Sequence, residues 1–320
     1  MIKVKQFAQS KSEFEAITEI HNLVTHEDKI SLKRALQIWE EINSNLFKMS
    51  FLMYKNDFLI GYILFFQMGN NNKETIEFVI RLNPNFNKQK YLEKLYEIML
   101  EYIRGKNWNK LHIKIHDHIN YKVYQNFIEK SEFRFSQRVR TYSCSLNNVK
   151  LEEHLPVLKQ MNLNEIKFYD SKFEMKTWKN HYKKLEKLIW EIEENIQYKN
   201  IANERKNFGD FMEYQYGFEK KEYGCEIIAV YNNQYIGICN AKINNNNYPK
   251  KAIIRITGVL EKFRRKGIAK ALKIKAIEKL KENGIKQLFT HNEESNPMCK
   301  INEDLGFQPE PNILLYFKSI

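Results

Sequence analysis

The chain has 320 residues, 43% of them hydrophobic and 13% aromatic, which is enough for packed cores and too much for a disordered chain. It is long enough for about two domains. No run of about 18 apolar residues occurs and Met1–Ser10 has no apolar secretion core, so a soluble, cytoplasmic protein with no membrane partner is expected.

The formal net charge is +13. The lysines are interleaved with acids along the whole chain, as on solvated helix faces, and a nucleic-acid partner is not expected. The four cysteines, Cys144, Cys225, Cys239 and Cys299, form no C-x-x-C pair, so neither a zinc site nor a disulfide framework is expected. His112, His116 and His118 recur along one segment, but Asp117 is the only carboxylate beside them, and no metal is expected.

In the first half, Met49–Tyr54 and Phe58–Phe66 are apolar runs around the turn Lys55-Asn56-Asp57, which predicts two antiparallel strands. The turn Gly69–Asn72 leads to a strand over Glu74–Leu82. Leu92, Leu95, Ile98, Met99 and Ile103 recur at helical spacing across Tyr91–Ile103. Leu111–Ile115 reads as a strand, Tyr121–Glu129 as a helix and Arg138–Leu146 as a closing strand.

The second half repeats that order. Asn180–Ile196 is a charged helix with one apolar side. Cys225–Tyr231 and Tyr235–Ile243 flank the turn Asn232-Asn233-Gln234, and Asn244–Asn247 turns into a strand over Lys251–Leu260. A helix over Lys266–Asn283 stops at Gly284. Gln287–Asn292 is a strand, Met298–Leu305 a helix and Ile313–Lys318 a last strand. Asn83–Leu92 overlays Leu260–Ala269 without a gap, which predicts an internal duplication with domains 1–148 and 149–320.

The stretch Arg264-Arg265-Lys266-Gly267-Ile268-Ala269 follows a strand and opens a helix. The first N–H groups of a helix have no internal partner, and the helix dipole adds positive charge there. Gly267 lets an anion approach the backbone, Ala269 is small, and three cations surround the mouth. The combination is a cradle for a pyrophosphate.

T-G-V-L-x-x-F-R-R-K-G-I-A-x-A-L, followed by T-x-N-x-x-x-N-x-M-x-x-I-N-x-x-L-G-F, resembles the GCN5-related N-acetyltransferase family, and the duplicated layout is similar to its tandem members. The specific match covers about residues 251–307. The resemblance implies two α/β (α+β) domains, each a mixed, mostly antiparallel sheet flanked by helices. Two parallel strands, here Ile253–Leu260 and Gln287–Asn292, would part to admit acetyl-CoA. It implies cofactor contacts from the backbone of Gly258, Val259 and Leu260, from the Arg264–Ala269 loop, and from Asn296 with Cys299 nearby.

The implied reaction is direct attack of a primary amine, on a small molecule or peptide, at the thioester. The family's usual tyrosine acid falls on Asn302, an amide that cannot give a proton as a phenol does. Tyr316 and Tyr248 are possible substitutes. No carboxylate lies on the strand leading into the loop, which leaves Glu226 and His291 as candidate bases. Solvent-facing and structural roles are the plain alternatives for both. Asn200–Tyr216 is the candidate acceptor segment.

In the first half, Asn87, Lys90 and Leu92 replace Arg264, Gly267 and Ala269, so residues 1–148 are expected to keep the fold without binding the cofactor. A non-catalytic acyl-CoA-binding or regulatory module is the alternative from another class. RNA acetylation or RNA binding is a third.

Overall fold

The computed structural model describes residues 1–25, 29–41, 46–68, 73–118, 121–194, 208, 223–244 and 250–320. The expected turns at 69–72 and 245–247, Tyr248, and the acceptor segment apart from Phe208 lie outside the described residues. Among the described residues no helix is long and apolar enough to cross a membrane.

The first half contains β1 (Ile2–Gln6), α1 (Lys11–Val24), α2 (Leu32–Glu41), β2 (Lys48–Lys55), β3 (Phe58–Gln67), β4 (Thr75–Leu82), α3 (Gln89–Ile103), β5 (Lys110–His116), α4 (Tyr121–Lys130) and β6 (Arg134–Ser145). The second contains α5 (Leu155–Leu163), β7 (Lys167–Asp170), α6 (His181–Glu193), β8 (Tyr223–Tyr231), β9 (Gln234–Asn244), β10 (Lys251–Val259), α7 (Ile268–Glu282), β11 (Gln287–Glu293), α8 (Met298–Asp304) and β12 (Gln308–Ser319). The compact units do not follow the expected split at 148. One unit combines Met1–Val139 with Pro311–Ile320, and the other lies within Arg140–Glu310. The first unit's strand order is β1-β2-β3-β4-β5-β12, and the second's is β6-β11-β10-β9-β8-β7. Each sheet therefore takes its strand beside β5 or β11 from the other half of the sequence.

Both sheets are mixed and mostly antiparallel. β2 and β3 are joined by Asn56-Asp57, β8 and β9 by Asn232-Asn233, and all four residues have positive φ. That is the two-residue primed turn, whose twist suits a hairpin and which Asn and Asp tolerate. Both expected hairpins thus form with loops one residue tighter than the sequence suggested.

Strands of the second unit bury both faces. Cys225, Ile227 and Ala229 pack with α7, and Ile228 and Val230 pack with α6. α6 seals its face with Leu185, Leu188, Ile189 and Ile192, each contributing about 2 kcal/mol by burial. Its first residue, His181, bonds through Nε2 to Ser171 Oγ (2.9 Å) and through Nδ1 to Tyr235 OH (2.8 Å), which pins the helix to β9.

At the other end of α6, a Cβ on Gly258 would sit 2.2 Å from Ile192 Cγ2 and 3.2 Å from its Cβ. Those atoms lie close to the helix backbone and cannot swing aside. Gly258→Ala is therefore expected to cost about 2 kcal/mol by overpacking and to lower the thermal midpoint by several degrees. Adding Ile192→Ala should recover part of that loss. A Gly258→Ala melting curve superimposed on the wild-type curve would mean that helix and strand are not in contact there.

Candidate active site

β10 and β11 pair in parallel over Lys251–Ile254 and Gln287–Thr290 and no further, although β10 runs on to Val259 and β11 to Glu293. On its other edge β10 shifts register against β9 between Ile254 and Ile256, a bulge at Arg255 that re-aims the strand. The two strands part where the bulge begins.

The backbone lining the gap follows from register. Leu260 N–H donates to Ile236 O (2.9 Å), and hydrogen-bonded pairs alternate in an antiparallel ladder. Gly258 and Leu260 therefore turn toward β9, while Thr257 and Val259 turn toward the gap. The carbonyl of Leu260 also accepts from Phe263 N–H (2.9 Å). Of the expected trio only Val259 turns its backbone toward the gap, as Thr257 also does. Even Val259 is partly committed, since its carbonyl accepts from Arg264 Nε (3.0 Å). Arg264 braces the strand end rather than standing free at the mouth.

Beyond a 3-10 turn at Glu261–Phe263, Arg265 has φ 60° and Gly267 φ 82°, so the chain coils left-handed twice before α7 starts at Ile268. The N-cap residue of α7, Gly267, has no side chain to cap it, and among the described residues no other side-chain cap is seen. Ile268 is buried and anchors the first turn, while Arg265 and Lys266 are exposed, with Lys266 Nζ 5.6 Å from the Phe263 ring. The first N–H groups of α7, those of Ile268 and Ala269, thus start the helix without a side-chain cap, beside two exposed cations.

Across the gap, Asn296 spends its Oδ1 on Met298 N–H (2.9 Å), which opens α8. Cys299 is 8% exposed, and its Sγ lies 3.5 Å from Glu293 O within the core. Burial raises this thiol's pKa, so Cys299 acts as packing beneath the loop rather than as a group offered to a cofactor.

The candidate bases lie on one face of the sheet. Leu288 packs into the cluster under α7, and alternation puts Phe289 and His291 on the opposite face. His291 is the first residue after the parallel register ends, and its Nδ1 is 3.0 Å from Thr141 Oγ1. Burial lowers its pKa, so the imidazole is neutral at physiological pH. In the tautomer that donates Nδ1–H to Thr141, Nε2 is left as the proton acceptor.

Glu226 is opposite Asn240, and Asn240 is opposite Ile256, a row crossing β8, β9 and β10 on the α6 face. Glu226 is 0% exposed on a strand flanked by β7 and β9, so it is not a solvent-facing edge carboxylate. Its Oε2 accepts from Asn240 Nδ2 (2.8 Å).

Asn302 is fully buried and tied at both ends. Lys273 Nζ donates to its Oδ1, and its Nδ2 donates to Asn292 Oδ1 (2.8 Å) on β11. Lys273 is 1% exposed and also lies 5.6 Å from the Phe307 ring. Of the expected substitute acids, Tyr316 belongs to the first unit, with its hydroxyl 3.4 Å from that of Tyr121.

Residues 183–307 match the model of the acetyltransferase (GNAT) family. The second unit carries a GNAT domain. The whole chain is similar in fold to a tandem GNAT protein from the clavulanic acid biosynthesis pathway (TM-score 0.73, 13% identity, covering 100% of this chain and 98% of that one). It is similarly close to a GCN5-related N-acetyltransferase from Sphaerobacter thermophilus (TM-score 0.71, 13% identity, 99% and 95% covered). No curated protein matches the sequence.

The first unit repeats the frame of the GNAT domain and changes its detail. β4 and β5 also pair for four residues, Thr75–Phe78 with Lys110–Ile113, and Pro84–Phe86 forms the same 3-10 turn. But α3 starts at Gln89, two positions ahead of α7 in the overlay, and Lys88 has φ −126° where Arg265 is left-handed. The cradle is missing as a backbone shape. Leu92, which replaces Ala269 there, points its side chain into the core and so is not what closes the cradle. Leu82 N–H, the counterpart of Val259 N–H, already donates to Tyr124 OH (3.1 Å).

Around the gap the structure adds Lys273 and Asn240, which the sequence reading passed over, and Thr257 and Asn292, which it quoted within its motifs without a role. Lys273 left a local trace as a cation in the apolar stripe with Ala276, Ile277 and Leu280.

Proposed function

We propose that the second unit binds acetyl-CoA and transfers its acetyl group to a primary amine of a small molecule or peptide. The observation that carries this reading is the gap between β10 and β11 running into an uncapped helix start coiled by Arg265 and Gly267. The gap suits the pantetheine arm, with the Val259 N–H as a partner inside it. The helix start suits the pyrophosphate, with Ile268 and Ala269 N–H as donors and Arg265 and Lys266 as cations. Within this reading, the amine nitrogen attacks the thioester carbonyl and its proton passes to His291 Nε2. The C–S bond then breaks with its electron pair going to sulfur. A module that binds without turnover remains the second reading, favoured by an Asn302 that is committed at both ends and has no proton to give.

Calorimetry of acetyl-CoA with the whole chain tests the reading. One molecule should bind per chain, and Gly267→Val should weaken binding by about tenfold or more, since the left-handed φ excludes a branched side chain and displaces the donors. Unchanged affinity would sink the cradle, and two molecules per chain would overturn the assignment to one unit.

A further inference from the structure

We infer that the side-chain amide of Asn292 donates a hydrogen bond to the carbonyl oxygen of the bound thioester, and that Lys273 and Asn302 are the positioning residues that aim it. The inference deepens the acetyl-CoA reading above and rests on it.

Three side chains are joined head to tail. Lys273 Nζ, on α7, donates to Asn302 Oδ1 on α8, and Asn302 Nδ2 donates to Asn292 Oδ1 (2.8 Å) on β11. An amide fits its space either way round, so the direction of such a chain is set by whichever member cannot be reversed. Here that member is Lys273, whose ammonium has N–H groups and no acceptor. The Phe307 ring, 5.6 Å from Nζ, suits the charged form, and the lysine holds its proton below about pH 8. Asn302 must therefore turn its oxygen to Lys273 and its nitrogen to Asn292, and Asn292 must turn its oxygen to Asn302. What remains at the end of the chain is Asn292 Nδ2, a donor.

Burial enforces the direction. Lys273 is 1% exposed and Asn302 0%, so reversing an amide would set donor against donor with no solvent to relieve it. Asn292 is half-buried and lies two residues past Thr290, where the parallel register with β10 ends. The chain thus starts in the core and ends on the flank of the gap. Among the described residues Asn302 is the one hydrogen-bond partner of the Asn292 side chain, which leaves Nδ2 for a ligand.

Asn292 follows His291 directly, and alternation puts the two side chains on opposite faces of β11. A base on one face and a donor on the other suit attack at a carbonyl lying between them. As the amine nitrogen bonds to the carbonyl carbon, the C=O π pair moves onto oxygen, where the Asn292 N–H meets it. The pair returns as the C–S bond breaks with its electrons going to sulfur. A fixed donor at that oxygen stabilises the charge that develops there.

The test compares acetyl-CoA with S-ethyl-CoA, a thioether of similar size that lacks the carbonyl oxygen. Binding to the whole chain is measured by calorimetry without amine, below pH 8, where Lys273 holds its proton. Wild type should bind acetyl-CoA about fivefold tighter. Asn292→Leu removes the donor and should cut that preference by about threefold or more. Asn302→Asp reverses the chain. Its carboxylate still accepts from Lys273 but has no N–H for Asn292, so Asn292 must donate inward and present Oδ1 to the gap. The preference should again fall by about threefold or more, although every bond within the chain is kept. A residue that only packed the core would not change the ratio. Affinity for S-ethyl-CoA reports that each variant is folded. Equal affinity of wild type for the two compounds, or a preference unchanged in either variant, would overturn the inference. Failure of the parent reading looks different, as a wild type that binds neither compound.

Discussion

Replacing His291 with alanine is expected to lower the rate of amine acetylation by about two to four orders of magnitude, the usual contribution of a placed general base. Three observations select this residue. It follows Thr290, the last residue in the parallel register, so it stands where the gap opens. Thr141 holds one ring nitrogen and leaves the other for a substrate. Burial lowers its pKa, so it is not consumed by solvent protons near neutrality.

The pH profile separates a base from a structural histidine. Turnover should rise with pH as His291 loses its proton, with its inflection below the 6.5 of free imidazole, because burial depresses the folded-state value. In His291→Ala that inflection disappears while acetyl-CoA still binds. A variant that retains both the rate and the inflection would remove His291 from the reaction.

The second large effect is on stability. Burial lowers the pKa of Lys273 from 10.5 to about 8. The unfolded chain keeps the ordinary value. Between pH 8 and 10.5 the unfolded state therefore holds a proton that the folded state has released, and stability must rise with pH across that window. A shift of this size corresponds to about 3 kcal/mol.

Chemical denaturation of wild type and Lys273→Met at several pH values isolates it, because the other charges are common to both. The difference in stability should change by about 3 kcal/mol between pH 8 and 10.5 and stay flat below pH 8. Near neutral pH the variant should come close to wild type. Relief of the buried charge offsets the cost of about 1–3 kcal/mol for stranding the Asn302 carbonyl. Parallel curves for the two proteins would show that the amine is not the titrating group.

What the sequence revealed was local. The paired turns at Asn56-Asp57 and Asn232-Asn233 announce hairpins because Asn and Asp accept the positive φ that such turns need. The cradle was legible for the same reason, since a strand, six residues and a helix are contiguous. Even α1, which the strand-by-strand reading did not place, is announced by the Ser10–Glu13 capping box at its start. β1 and β7 are only five and four residues long, too short for the Ile2-Lys3-Val4-Lys5 alternation of β1 to stand out and with no alternation in β7.

The rest depended on register. Glu226 and Asn240 meet only because β8 and β9 pair at that residue, and His291 shares their face only through a count of alternations along β11. Lys273 was hidden by abundance, as one cation among 52 Lys+Arg. The same limit hid the division of the chain, because nothing in an apolar run says which sheet it will join.

That division sets an order of assembly. The strand that completes the first unit's sheet, Ile313–Ser319 against β5, is translated after every residue of the second unit. The domain that begins to emerge first from the ribosome therefore finishes last. Until then β5 keeps an open edge, ready to pair with any extended segment nearby. A nascent chain stalled before residue 311 would carry an entire second unit and an unfinished first one, so the unit that starts first has the greater need for protection during synthesis.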